Sequence, residues 1–343
     1  MPPDLWSLYE SMLRCRLFEE AVAQLWRDGL ISGEMHLGTG EEAIIAGIVP
    51  QLRADDALAL DHRGTAALLL RGVDPALILR ELLGRPDGLC GGMGGHMHLF
   101  AREHLAASSG IVGAAGPAAA GFALAARCLR PGTLAVAFFG EGAMNQGMLL
   151  EALNLAAAWS LPVLFVCKDD GWSITTDSDR MTGSDLSLRA RGLGVQAVET
   201  DGRDVSQVWE AAAPAIARAR AGQGPTFLRG RCVHLEGHFL GYALLRATRD
   251  PLREMPPILG SLVRAFARSG GAGRRERLSG LRQVMAATTA TLRDPRRERS
   301  NDPVARAHDE LARTDPSRLR ELEAAVARAI RAIVASALQE NAA

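Results

Sequence analysis

The stretch TLAVAFFGEGAMNQGMLLEALNLAAAWSLPVLFVCKDD, residues 133–170, decides the fold. TLAVAFF (133–139) and PVLFVC (162–167) are continuous apolar runs of strand length. MLLEALNLAAAWS between them carries a helical pattern. A strand with no polar alternation must be covered on both faces, as happens in parallel sheets built from βαβ units. The stretch therefore predicts an α/β fold with a central parallel sheet flanked by helices. RARGLGVQAVETDG, a helix near Val205–Ala221 and the strand PTFLRGRCV predict a further unit downstream.

Working outward, residues 4–30 have apolar positions at helical spacing, with Asp4 as cap and Gly29 as stop. The loop ISGEMHLGTGEEA leads into a helix through Val49, and Asp74-Pro75 opens a helix that ends at Gly84. A glycine-dense loop covers Gly88–Gly95, and an alanine-rich helix through Arg127 is apolar nearly all round, which predicts full burial. After Tyr242 the chain turns Arg-, Pro- and Gly-rich to about residue 300, and helical patterning returns from Asp302. This divides the chain into a main domain at 1–242, an insertion at 243–300 and a helical C-terminal arm at 301–343.

Composition narrows the function. The 343 residues are 48% hydrophobic with a formal net charge of zero, which gives no reason to expect nucleic acid or anionic lipid as partner. The basic residues are nearly all arginine; Lys168 is the only lysine. Five scattered cysteines without a CxxC indicate neither a disulfide framework nor a zinc knuckle. No apolar run approaches the roughly 18 residues of a membrane helix, and the charged, broken start is no signal-peptide core, so a cytoplasmic location is the expectation.

Chemistry concentrates where the two central strands end. In parallel α/β sheets ligands bind at the carboxyl ends of strands, with phosphate near a helix N-terminus. FFGEGAMNQG sets glycines around Glu141 at one such end, and Lys168-Asp169-Asp170 adds carboxylates at the next. Acids on adjacent loops at one sheet edge suit Mg²⁺, which takes oxygen ligands and shares them with phosphate. Other candidates read more plainly. His234 and His238 are four apart but follow a strand with Gly237 between them, and no HExxH exists, so zinc protease chemistry is rejected. His96-Met97-His98 reads as loop polarity, and the 91–95 glycines lack the GK[ST] of a P-loop.

The segment GEGAMNQGMLLEALNLAAAWSLPVLFVCKDDGW resembles the thiamine diphosphate motif of alpha subunits of 2-oxo acid dehydrogenase E1 components (pyruvate, branched-chain and acetoin types). Those subunits read Gly-Asp-Gly-Ala-x-Asn-x-Gly, then a helix, then a strand ending Glu-Asn-Asn. MHLGTGEEA, DHRG, GVDPALILRELLG, GGMGGHMHL, SGIVG and ARAGQGPT match the family in order, so the resemblance spans about residues 5–242. It implies a thiamine diphosphate-binding fold, with Arg63 and neighbouring His62 at the diphosphate and backbone groups of Gly110 and Val112 toward the aminopyrimidine. It further implies Glu141 and Asp170 as side-chain metal ligands, Trp172 as a carbonyl ligand, and Gly142 and Ala143 as amide donors to phosphate. His238 matches a histidine that assists acyl transfer.

The implied activity is thiamine diphosphate- and Mg²⁺-dependent decarboxylation of a 2-oxo acid, or acyloin cleavage, with acyl transfer to lipoamide. The implied partners are a beta subunit in an α2β2 assembly and a lipoyl acyltransferase. The chain departs from the family at several site positions. Glu141 replaces aspartate, Asp169-Asp170 replaces Asn-Asn, Phe239 replaces serine, Tyr242 replaces aspartate, Thr65 replaces histidine and His96 replaces serine. Lys168 is the candidate to offset the added negative charge. These departures keep two alternatives open: a thiamine-dependent carboligase or simple decarboxylase, and a catalytically degenerate subunit.

Overall fold

The computed structural model describes residues 4–173, 176–240 and 298–339. Most of the expected 243–300 insertion, and Tyr242, lie outside these residues. The chain begins with helix α1 (Leu5–Arg27), capped by the Asp4 carboxylate accepting from the Ser7 amide at 3.0 Å. Then follow α2 (Glu42–Ile48), β1 (Ala57–Leu60), α3 (Thr65–Leu70) and α4 (Pro75–Leu82), the last capped by Asp74 as its Asp-Pro start predicts. The short strands β2 (Phe100–Ala101) and β3 (Ala106–Ser108) precede α5 (Ala115–Leu129).

The predicted βαβ unit is present as β4 (Ala135–Gly140), α6 (Gly147–Ala158) and β5 (Val163–Asp169), with Ala135 opposite Val163 in a parallel ladder. Strands β6 (Trp172–Ser173) and β7 (Thr176–Asp177) form a small hairpin; α7 (Leu186–Gly192) follows. The second predicted unit is β8 (Gln196–Asp201), α8 (Val205–Arg220) and β9 (Thr226–Arg231). The seven-stranded sheet runs β2-β3-β1-β4-β5-β9-β8, parallel except for β2 against β3.

Strand alternation divides the interior into two cores. Leu58, Leu60, Val136, Phe138, Leu164, Val166 and Leu228 face one layer, which includes α1–α4 and α8. Ala135, Ala137, Phe139, Val163, Phe165, Cys167 and Phe227 face the other, under α5, α6 and α7. Each buried aliphatic or phenyl side chain contributes about 1.5–3 kcal/mol, so a polar residue on either face of β4 or β5 is costly. That is why these runs read as unbroken apolar.

The alanine-rich helix departs from expectation. Ala115, Gly116, Ala119, Ala120 and Ala123 of α5 are buried, but Pro117, Ala118, Gly121, Phe122, Ala125 and Leu129 are exposed. An all-round apolar helix in a single chain is buried only on the face its own sheet can cover, so α5 carries an uncovered apolar stripe.

The C-terminal helices α9 (Pro303–Thr314) and α10 (Pro316–Leu338) pack on α1 and α4 and share the first core. Arg16 of α1 joins them by a fork to Asp302 at 2.9 Å on both nitrogens and also donates to Glu42 at 2.6 Å. Tyr9 donates to Glu323 at 2.7 Å. No helix among the described residues is long and apolar enough to cross a membrane.

Candidate functional site

The site lies at the carboxyl ends of β1, β4 and β5, where the two central strands and the loop after β9 converge. A cleft there is walled by Asp61, His62, Arg63, Glu141, Asp170 and His238, with Val112, Gly142, Ala143 and Trp172 completing it. Of the ten residues to which the resemblance gives a cofactor or metal role, only Gly110 does not stand in the wall. It packs beside Met97, where an added Cβ would come within 2.7 Å of the sulfur.

Glu141 opens the turn after β4 and is 4% exposed; Ser178 donates to it at 2.5 Å. Burial, and then the neighbouring Asp170 carboxylate, push its pKa up to about 8. Asp170 follows β5 and shares a hydrogen bond with Glu141. Burial resists its charge, but His234, with Nδ1 2.8 Å away, holds its pKa below the usual carboxylate range.

Strand alternation sorts the three charged residues at the end of β5. Lys168 turns to the first core face and reaches Glu41 at 2.6 Å and Asp61 at 3.0 Å. Asp169 turns the other way, where Arg229 donates to it at 2.7 Å, and it takes no part in the cleft wall. Lys168 therefore does not offset the Asp169-Asp170 pair as the sequence suggested; Arg229 neutralises Asp169 and His234 neutralises Asp170. A one-residue step along a strand reverses the face, so adjacency in sequence does not give adjacency in space.

Glu41 is the hub that sequence reasoning missed. It is 2% exposed and takes Lys168 on one oxygen and His234 Nε2, at 2.7 Å, on the other. Burial opposes its ionisation, but Lys168 and His234 hold its pKa well below the ordinary carboxylate range. His234 is in turn pushed up to about 9: burial and Arg63 oppose its charge, and Asp170 and Glu41 overcome them. A line Asp170–His234–Glu41–Lys168–Asp61 thus runs beneath the cleft. The only sequence signal for Glu41 was its place in the GTGEEA loop. That loop is fixed by Gly40, whose φ of +101° and approach to the Val233 carbonyl leave no room for a Cβ.

Arg63, 3% exposed, donates to the carbonyls of Leu37 at 2.5 Å and His238 at 2.6 Å. His62 and His238 are both pushed down, to about 3 and about 4, by burial first, with Arg63 contributing. His62 Nε2 and His238 Nδ1 are buried without a hydrogen-bond partner. A buried polar atom left so carries a desolvation cost of about 1–3 kcal/mol that a bound polar group would relieve.

A dehydrogenase E1 component profile matches residues 10–241. The chain belongs to the dehydrogenase E1 component family. The alpha subunit of acetoin:2,6-dichlorophenolindophenol oxidoreductase from Cupriavidus necator is 39% identical over 277 residues, 79% of this chain and 83% of that one. The pyruvate dehydrogenase E1 component subunit alpha of Zymomonas mobilis is 37% identical over 255 residues, covering 74% and 72%. The alpha subunit of the Bacillus subtilis acetoin:2,6-dichlorophenolindophenol oxidoreductase is 38% identical over 248 residues, covering 72% and 74%.

The residues present fit thiamine diphosphate with a divalent cation. Glu141 and Asp170 offer oxygen donors from neighbouring strand ends into one cleft, and burial, then the Asp170 carboxylate, opposes the ionisation of Glu141. Arg63 and the unpartnered nitrogens of His62 and His238 line the same cleft. Glu141, though one methylene longer than the family aspartate, still lies beside Asp170.

Proposed function

We propose that this chain is the alpha-type subunit of a 2-oxo acid dehydrogenase E1 component, decarboxylating a 2-oxo acid or cleaving an acyloin and passing the acyl group to lipoamide. The observation that carries the reading is the Glu141–Asp170 carboxylate pair at adjoining strand ends, in one cleft with Arg63 and two unpartnered imidazoles. Thiamine diphosphate supplies a nucleophilic carbon and an electron sink. Glu141 and Asp170, with the Trp172 carbonyl, would hold Mg²⁺; Arg63, Gly142 and Ala143 would hold the diphosphate, with Gly110 and Val112 toward the aminopyrimidine. His62 and His238, both held neutral near pH 7, would offer their free ring nitrogens as hydrogen-bond partners to a bound group without carrying charge into the cleft.

The proposal includes a beta-type subunit in an α2β2 assembly and a lipoyl acyltransferase as acceptor. Ile111 and Val112, exposed and in the cleft wall, and exposed Met148 close to Gly113 offer apolar side chains that support such a partner. Phe239 and Tyr242, which replace the family's serine and aspartate in the histidine loop, support a second reading in which an aldehyde replaces lipoamide as acceptor. The test is turnover of 2-oxo acids and acyloins by the chain with and without a beta-type subunit, using lipoamide, an indophenol dye and an aldehyde in parallel. Activity with lipoamide only in the two-chain assembly is expected. Full turnover by this chain alone, or product with the aldehyde alone, overturns the first reading.

A further inference from the structure

The glycine-dense loop after α4 is built around a carboxylate. Glu81, the last residue but one of α4, is fully buried. Its Oε2 accepts from the amides of Cys90 at 2.6 Å and Gly92 at 2.8 Å, and its Oε1 from the amide of Gly94 at 2.7 Å. Three alternate backbone N–H groups thus wrap one side chain. A Cβ on Gly92 would lie 2.6 Å from the Gly84 backbone, and one on Gly94 would lie 2.0 Å from the His98 oxygen. The close approach that glycines permit is taken up here by the chain's own carboxylate.

The far end of this loop reaches the cleft. His96 Nε2 stands 3.0 Å from His36 Nδ1, with the two rings stacked. The His36 ring is in turn 4.5 Å from that of His62 and 5.4 Å from that of His238, which both stand in the cleft wall. Met97, the next residue, packs against Gly110, and its carbonyl accepts from the Ser108 hydroxyl of β3 at 2.9 Å. We infer that Glu81 is a positioning residue of the cleft: by fixing the 90–94 backbone it sets His96 against His36, and so orients His62 and His238. What those two histidines meet rests on the reading of the cleft as a diphosphate site; their placement by Glu81 does not.

Composition shows why an anchor is needed. Five of the eight residues at 88–95 are glycine, which gives up more backbone freedom on ordering than any other residue. Such a loop keeps one conformation only where strong bonds hold it. Amide bonds to a carboxylate supply them, being roughly twice as strong as bonds between neutral groups. Glu81→Gln keeps the size of the side chain but puts an NH2 group where an oxygen accepts, so at least one loop amide loses its partner.

The test is nuclear magnetic resonance of the full chain, reading amide hydrogen exchange and the histidine ring nitrogens. In the wild-type chain the amides of Cys90, Gly92 and Gly94 should exchange about tenfold more slowly than those of Met93 and Gly95. Glu81→Gln should remove that protection and shift the ring signals of His36 and His96. His96→Ser should shift those of His36 with the three amides still protected. Tyr9→Phe, which removes a hydrogen bond between α1 and α10, should change neither. By calorimetry, thiamine diphosphate with Mg²⁺ should bind about fivefold more weakly to the first two variants and as before to the third. Unprotected amides in the wild-type chain, or a Glu81→Gln loop that loosens with the His36 signals in place, would overturn the role of Glu81. If the wild-type chain binds no cofactor, the reading of the cleft fails, while the amides and ring signals still decide the placement by Glu81.

Discussion

Glu141→Gln tests the electrostatic reading of the site without any cofactor or partner. The pKa of Glu141 is pushed up to about 8 from 4.5 by burial and then by Asp170. A carboxyl raised on folding contributes stability that is fully present below the unfolded value and lost as pH rises through the folded one. From about pH 6 to about pH 8 the chain therefore loses about 2 kcal/mol through this group, at up to 1.36 kcal/mol per unit. Glutamine keeps an acceptor for Ser178 but cannot ionise, so that loss disappears. His234, raised to about 9 against burial and Arg63 by Asp170 and Glu41, loses its own contribution over an overlapping window in both proteins, so the slopes are what matter. Urea unfolding followed by far-ultraviolet circular dichroism at half-unit pH steps gives them. The variant should be about 2 kcal/mol less sensitive to pH across the window, and identical slopes would refute the claim that Asp170 and burial keep Glu141 protonated.

Two further outcomes follow from the buried charges and the tight loop. Lys168→Met removes the cation shared by buried Glu41 and half-buried Asp61, leaving Glu41 only His234, and should cost about 3–5 kcal/mol, or roughly 5 °C in a thermal melt; an unchanged midpoint would show that the line beneath the cleft is not held by this charge. Gly40→Ala should cost more than about 4 kcal/mol, because its Cβ would sit 1.6 Å from the Val233 oxygen at a φ of +101°. Gly84→Ala, at φ +71° with open space around it, should cost about 1 kcal/mol, and equal soluble yields of the two variants would contradict the packing described.

The sequence by itself determined the sheet and the place of the site. Unbroken apolar runs at 133–139 and 162–167 have no stable home except a doubly covered parallel sheet, and Glu141 and Asp170 fall at its strand ends wherever the helices pack. Local signals also set the helix starts at Asp4 and Asp74, since an N-cap is an interaction among neighbours. β1 and β3 were not legible, because four and three mostly small residues carry no period that a loop lacks.

Only the tertiary structure decided which charges meet. Lys168 stands beside Asp169 and Asp170 in the chain, yet it serves Glu41 and Asp61, while Arg229 and His234 take the two aspartates. Nor did composition separate the buried from the exposed face of α5, since alanine, glycine and phenylalanine occupy both. Pairings across long stretches of chain depend on strand face and loop approach, which no local pattern encodes. The meeting of His36, His62, His96 and His238 from four separate loops is a product of that same packing.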